Sequence, residues 1–237
     1  MELTDFLAAT LAVIAGSVVQ VASGVGGGFI IVPLLAWVDI SLVPAPLLFA
    51  SLSLSGLMAA REWHAVDWRQ VPFILGGLVP GSIFGAWILA SVPLDELGIV
   101  FGCVILLAII VTISGWHIPL NRLTGALTGA LSGAMGTSSG IGAAPMALLY
   151  QDQPRAQIRA TLAVLYTGGT LIMLTILFSF GKFGIAGMRS GLLLVPGFVL
   201  GYWLANRWTP DVASGHARIA VLVVSGAAAV ALIVRSL

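Results

Sequence analysis

Residues 24–33 read GVGGGFIIVP, and residues 136–145 read GTSSGIGAAP. Each stretch begins with glycine and reaches proline nine residues later. Glycine allows positive φ and close approach of two backbones, whereas proline lacks the N–H that a helix interior uses. The two stretches therefore predict two broken helices, at related places in a duplicated unit.

A second repeated motif follows each glycine stretch. LVPG at residues 78–81 recurs at residues 194–197, and ASL at residues 50–52 aligns with ATL at residues 160–162. The offsets are 116 and 110 residues, and matching the two prolines aligns the glycine stretches at 112. These ordered matches predict one transmembrane domain of two repeats, residues 1–118 and residues 119–237.

The composition is that of a membrane protein. Of the 237 residues, 59% are hydrophobic and only 8% are charged, against roughly a quarter charged in soluble domains. The net charge of +1 gives no basic field, so we expect no nucleic-acid partner. The lipid bilayer is the expected surrounding of most of the chain.

The apolar runs predict ten segments, five in each half. They are residues 3–22, 25–38, 43–60, 72–91, 97–115, 122–136, 140–150, 159–180, 188–207 and 216–235. A crossing helix needs about 20 residues, so the first two segments of each half are expected to form a re-entrant or broken-helix hairpin. Five is odd, whether these hairpins turn back or cross fully. We therefore predict an all-α polytopic protein of two inverted repeats, each a hairpin plus three transmembrane helices.

Basic residues predict the orientation. One face of the predicted topology carries seven arginines: Arg61, Arg69, Arg122, Arg155, Arg159, Arg207 and Arg218. The other carries Lys182, Arg189 and Arg235. Basic residues favour the cytoplasmic side, so we expect a multi-pass protein of the cytoplasmic membrane with both termini on the outer face.

The predicted membrane interior holds no charged side chain. All Asp, Glu, Lys, Arg and His residues fall at segment ends or in connections, which argues against a proton relay or a metal site. We expect neither a metal nor a cofactor. Helix starts at the glycine stretches would instead offer unpaired N–H groups to an anion. Pro33 and Pro145 are expected to leave the carbonyls of Phe29 and Ile141 unpaired.

Hydroxyl and amide side chains lie at the same depth as the glycine stretches. The candidate ligand donors are Gln20, Ser23, Thr137, Ser138 and Ser139. Tight helix packing in lipid is the alternative explanation for small residues there. Weaker candidates for a pathway wall are Ser51, Ser53, Ser55, Thr161, Tyr166 and Thr167.

The stretch GVGGGFIIVPLL, its degenerate partner GTSSGIGAAPMALL and the repeated LVPG resemble the sulfite exporter TauE/SafE family, also called the toluene sulfonate uptake permeases. The resemblance covers essentially the whole chain. It implies transport of sulfite, sulfonates or sulfoacetate, with binding at the motif positions Gly24, Gly26, Gly27, Gly28, Pro33, Gly136, Gly140, Gly142 and Pro145. The second copy departs from a full glycine run.

The expected function is export of sulfite or an organosulfonate by alternating access, and the expected partner is this small anion. A passive anion channel and an uptake permease for sulfonates are the alternatives. A more distant one is an intramembrane serine protease using Ser138 or Ser139, which would need a histidine base. We expect no enzyme activity, and self-association into a homodimer is left open.

Overall fold

The computed structural model describes residues 3–93, 96–208 and 215–236. Ten α-helices fill most of these ranges: α1 (Leu3–Ser23), α2 (Gly27–Val38), α3 (Ala45–Glu62), α4 (Val71–Ser91), α5 (Leu97–Ile113), α6 (Arg122–Ser139), α7 (Ala143–Leu149), α8 (Arg155–Ser179), α9 (Ile185–Trp208) and α10 (Gly215–Arg235). No strand occurs within these ranges. Each predicted segment corresponds to one helix, with ends that differ by four residues at most. The all-α prediction is confirmed for this part of the chain.

Four described helices are long and apolar enough to cross a membrane by themselves. Their spans are Thr4–Ser23, Val71–Ser91, Arg155–Ser179 and Ile185–Arg207. Shorter apolar helices lie at Gly27–Val38, Leu97–Ile113 and Val221–Arg235. The architecture is that of a polytopic membrane protein.

Each half begins with an uneven helical hairpin. Helices α1 and α6 contain 21 and 18 residues, which is about 31 Å and 27 Å at the standard rise. Their partners α2 and α7 contain only 12 and 7 residues. Neither short helix reaches across a hydrocarbon core of about 30 Å.

The two hairpin turns have the same local geometry. Gly24 and Gly140 have φ of 80° and 84° and immediately follow α1 and α6. The preceding Ser23 and Ser139 each accept a hydrogen bond on Oγ, at 3.3 Å, from the N–H two residues ahead. The two turns are therefore 116 residues apart, four more than the offset of 112 that the proline match gives. Pro33 and Pro145 lie nine and five residues after the αL glycines Gly24 and Gly140, so the proline match and the turn geometry give different alignments.

Small residues bring the long helices of the two halves together. Gly77, Gly81 and Gly85 of α4 lie so close to α6 that a Cβ would overlap the carbonyl oxygens of Ala126, Ala130 and Ala134, respectively. These helices run parallel, since residue numbers rise together along the contact. Helices α9 and α1 also run parallel, with Gly197 against Thr10 and Val13 and Gly201 against Ile14 and Ser17. Such close approach is a usual way for helices to associate in lipid.

The remaining helices enclose the hairpins. Helix α3 packs against α8 and α9, α8 packs against α4, and α10 packs against α2 and α5. Helices α5 and α10 run antiparallel, because Gly98 contacts Ser236 while Gly102 contacts Ile233. Helices α3 and α8 are likewise antiparallel where Glu62, at the end of α3, pairs with Arg159 near the start of α8. The hairpin turns are thereby held inside the bundle.

Candidate anion-binding site

The two hairpin turns meet inside the bundle. A Cβ placed on Gly28, in the first turn of α2, would lie 3.7 Å from the carbonyl oxygen of Gly140 and 3.7 Å from Cγ1 of Ile141. Gly140 in turn faces Val32 of α2 and Leu47 of α3. Two stretches far apart in sequence thus form one site.

A small cavity of about 80 Å³ lies at this meeting point. Its walls come from both hairpins and from α3, α8 and α9: Gln20, Gly28, Phe29, Ile31, Leu47, Leu48, Ser51, Ser55, Gly136, Gly140, Ile141, Gly142, Ala143, Met146, Leu165, Tyr166, Thr170, Met173 and Phe198. A cavity needs roughly 10–15 Å³ of space open to the centre of a water molecule to hold one water. The space therefore has room for a small solute.

The cavity offers neutral donors only, because none of its lining residues is charged. The Tyr166 hydroxyl is buried and makes no hydrogen bond within the described chain. The Gln20 amide also lines the space without a partner among the described residues. By contrast, the Ser51 and Ser55 hydroxyls donate to carbonyls of their own helix, at 2.8 Å and 3.1 Å. Thr170 Oγ1 likewise lines the space without a partner among the described residues, so Tyr166, Gln20 and Thr170 are the side chains free to bind a ligand.

Backbone N–H groups complete the donor set. Helix α2 starts after Gly26 and α7 after Gly142, and neither start has a side-chain cap. The one first-turn bond formed there, from Phe29 N to Gly26 O, is long at 3.2 Å. Gly28 and Ala143 bring these starts to the cavity wall. Uncapped first turns carry partial positive charge and favour an anion.

Comparison with known families decides the class of protein. The family model for the sulfite exporter TauE/SafE matches residues 8–232. The chain belongs to the sulfite exporter TauE/SafE family. No curated protein and no solved structure matches it. Members of the TauE/SafE family are transporters rather than enzymes, so the bundle is that of a multi-pass membrane transport protein.

The predicted TauE/SafE site residues divide into three groups in the structure. Gln20, Gly28, Gly136, Gly140 and Gly142 line the small cavity. Ser23 and Gly26 line a neighbouring larger cavity. The rest line neither cavity: Gly24, Gly27, Pro33, Thr137, Ser138, Ser139 and Pro145. Their binding roles stay predictions.

Some residues of the third group have a visible packing role. A Cβ on Gly27 would lie 2.5 Å from Oε1 of Gln20 and 2.7 Å from the carbonyl oxygen of Gly16. Gly27 therefore lets α1 and α2 approach closely. Ser138 and Ser139 are buried, and both hydroxyls donate to the carbonyl of Met135 in their own helix, at 3.2 Å and 2.8 Å.

The expectation that Pro33 leaves a free carbonyl at Phe29 is wrong. Ser225 of α10 donates from Oγ to the Phe29 oxygen at 2.6 Å, and the same hydroxyl lies 2.7 Å from the carbonyl of Val221. The Phe29 carbonyl, which Pro33 leaves without a partner in α2, is thus hydrogen-bonded by α10, as backbone buried in a membrane requires. The contact joins α2 to α10.

The sequence reading underestimated the walls formed by α3 and α8. Ser51 and Ser55 are four residues apart and share one helix face, whereas Ser53 lies off the cavity. Tyr166 and Thr170 have the same spacing on α8. Thr170 was not predicted, although the i, i+4 spacing from Tyr166 could have indicated it.

A protease site finds no support in the geometry. Ser138 and Ser139 donate to backbone, as described above, and no described histidine contacts either residue. His64 packs against the Trp63 ring, and His117 lies 3.9 Å from Asp152 on an exposed surface. The His216 side chain lies outside the described residues.

Proposed function

We propose that this TauE/SafE protein exports sulfite or a small organosulfonate from the cytoplasm, binding the anion in the cavity between the two hairpin turns. The observation that carries the proposal is the donor set: two uncapped helix starts meet the unpaired Gln20 amide and Tyr166 hydroxyl in a space without charge. These donors would replace the hydration of an anion. Neutral donors also release their ligand more readily than a buried charged side chain would.

Cavity size narrows the substrate class. About 80 Å³ accommodates an oxyanion of a few heavy atoms, such as sulfite or methanesulfonate. An aromatic sulfonate would require the apolar walls, including Phe29 and Phe198, to move apart. We therefore place small anions ahead of aromatic ones.

Alternating access would follow from an inverted repeat. Helices α1–α5 and α6–α10 make corresponding contacts, because α1 packs on α9 as α6 packs on α4, and α2 packs on α10 as α7 packs on α5. The corresponding helices α3 and α8 run antiparallel, as do α5 and α10. A twofold axis in the membrane plane, with repeats at residues 1–118 and 119–237, accounts for both observations. Rocking of one half against the other would then expose the cavity to alternate sides.

The proposed orientation of the protein in the membrane rests on the distribution of its basic residues. Side-chain contacts join Arg61 to Asn206 and Arg159 to Glu62 on the face with most arginines. Assigning that face to the cytoplasm puts both termini outside. A monoanion leaving a negative cytoplasm then gains about 2.3 kcal/mol per 100 mV, so export needs no coupling ion.

The test is flux in proteoliposomes with an imposed potential. We expect labelled sulfite and methanesulfonate to move with saturable kinetics and to exchange across the membrane, while sodium and potassium do not move. Flux that stays proportional to concentration, without exchange, would favour a passive channel. Flux that requires an inward ion gradient would favour an uptake permease.

A matched pair of variants connects the flux to the cavity. Thr170 lines it, whereas Thr167 on the same helix donates to the carbonyl of Ala163 at 2.9 Å and does not line it. Thr170→Val is expected to raise the KM for sulfite by about fivefold, the cost of roughly one hydrogen bond. Thr167→Val should leave KM unchanged. Equal effects of the two would count against binding in this cavity.

A further inference from the structure

A second, larger cavity of about 570 Å³ lies next to the small one. The two share Phe29 and Ala143, so these residues form the partition between them. The larger cavity reaches the first hairpin turn at Ser23 and Gly26 and the connection before α8 at Gln153. We call this space the vestibule.

Two arginines give the vestibule its charge. Arg155 and Arg159 are four residues apart on α8, so they share one helix face, and both line the vestibule. Arg155 is exposed and has no ion pair within the described ranges. No acidic side chain lines the space. An anion would therefore be attracted to this vestibule and a cation repelled.

Arg159 is only partly neutralised. Its Nη2 pairs with Glu62 at the end of α3, where the two side chains are 32% and 20% exposed. Its Nε is buried and has no hydrogen-bond partner in the described structure. A planar guanidinium binds an oxyanion best through two parallel N–H bonds. On the edge of the guanidinium formed by Nε and Nη2, Arg159 thus has an unpaired N–H at Nε, while Glu62 occupies Nη2.

Arg159 also touches the hairpin turn beside the small cavity. A Cβ on Gly24 would lie 3.1 Å from Cγ of Arg159, and Gly24 holds the positive φ that makes the turn. The positions that correspond to Arg155 and Arg159 in the first half, 110 residues earlier, are Ala45 and Phe49. Only one side of the proposed inverted repeat therefore has this basic entrance.

We propose that Arg155 and Arg159 form an oxyanion-collecting site in the vestibule, and that Glu62 competes with the arriving anion for Arg159. This inference rests on the proposed export of an oxyanion, and it adds a first binding step on the arginine-rich face. The ligand class is a singly charged oxyanion with two free oxygens, such as a sulfonate. When the anion displaces Glu62, the ion pair that joins α3 to α8 breaks beside the first hairpin turn.

Thiol modification tests the site without relying on transport. The single native cysteine, Cys103, is exposed on α5, so we would replace it by serine and introduce Gln153→Cys in the vestibule. The protein, in phosphatidylcholine nanodiscs, is reacted with an anionic reagent, sulfonatoethyl methanethiosulfonate, or a cationic one, trimethylammonioethyl methanethiosulfonate. The ratio of the two rates measures the local potential. His117→Cys, at an exposed position outside the vestibule, is the control.

Opposite changes are expected from the two members of the ion pair. Arg155→Gln and Arg159→Gln should each lower the anion-to-cation rate ratio by about tenfold, the low end of the range for a charged cleft. Glu62→Gln should raise it by a similar factor, because Arg159 is then unpaired. Because either substitution changes the local potential even without a bound anion, protection by soluble anion separates binding from charge alone. Arg155→Gln keeps the test decisive if Arg159→Gln fails to fold, since Arg155 is exposed.

Protection by soluble anion completes the test. Methanesulfonate should slow modification of Gln153→Cys but not of His117→Cys, and more strongly in the Glu62→Gln protein. The proposal would be overturned if the modification rates changed neither with the arginine substitutions nor with methanesulfonate. Protection seen only when phosphatidylglycerol is added would assign the site to a lipid head group and overturn it as well. Export itself is judged separately, from the flux of the unmodified protein.

Discussion

Adding one methyl group at Gly28 tests whether the cavity between the turns is the transport site. Gly28 lies within α2 and lines the cavity, and its φ is not positive. The nearest atoms to an added Cβ, on Gly140 and Ile141, would be at 3.7 Å, an ordinary van der Waals distance. Gly28→Ala should therefore fold normally.

The methyl group would nevertheless take substrate space. A methyl group is close to a water molecule in size, so it takes up a substantial part of a cavity of about 80 Å³. Overfilling a packed space by one carbon costs about 1–3 kcal/mol. At 1.4 kcal/mol per factor of ten, kcat/KM for sulfite should fall by about 5- to 150-fold. Methanesulfonate, which is larger, should lose more.

The assay is concentration-dependent efflux from proteoliposomes, with thermal unfolding measured on the same preparation. Gly56→Ala is the control, because a Cβ on Gly56 meets nothing within 4 Å and Gly56 does not line the cavity. The control should transport like the unmodified protein. If Gly28→Ala kept its kcat/KM for both anions while folded, the cavity would not be the route.

Three further predictions concern the scaffold. Gly77→Ala should separate α4 from α6 and lower the thermal unfolding temperature in detergent, because overpacking costs about 1–3 kcal/mol. Gly76→Ala should leave that temperature unchanged, since its Cβ meets nothing within 4 Å. Ser225→Ala should destabilise the protein by about 1–3 kcal/mol in chemical unfolding because it leaves the Phe29 carbonyl unpaired; Thr175→Val, which loses only a bond within its own helix, should change little. Burial, with the Asp67 charge, raises the pKa of Tyr150 above its ordinary value near 10. The stability that its hydroxyl contributes is therefore present below about pH 10 and lost as the pH rises above about 10. Between about pH 8 and 11 the free energy of unfolding should fall more steeply for the unmodified protein than for Tyr150→Phe, and parallel curves would argue against the shift.

The helices and turns could be predicted because their signals are local. Apolar runs of suitable length set the ten segments, and glycine set the positive φ at Gly24, Gly26 and Gly140. The alignment of the two glycine stretches was harder to predict, because their prolines offered the clearest match in sequence. In the structure each turn is formed by a serine and the glycine after it, so Ser23 and Ser139 hold the same place in their turns.

The walls of the site could not be predicted because they depend on which helix faces the turns. Ser225 donates a hydrogen bond to the carbonyl of Phe29, 196 residues away in sequence, which Pro33 leaves without a helical partner. No local pattern indicates such a contact. The sequence makes Tyr166 only a weak candidate, whereas in the structure its buried hydroxyl is unpaired and Tyr166 lines the same cavity as Gln20. Arg159 was read as a residue at a helix end, yet the helix begins earlier and places it against the first turn.

Direct location of a bound anion tests the central claim, which is that backbone and neutral side-chain donors hold the solute between the hairpin turns. Selenite resembles sulfite and scatters X-rays anomalously, so a crystal grown with selenite would show where the anion lies. The account predicts a selenium peak in the small cavity, with selenite oxygens about 3 Å from N–H groups near Gly28 and from the Tyr166 hydroxyl. A peak elsewhere in the bundle, with the cavity empty at saturating selenite, would contradict it.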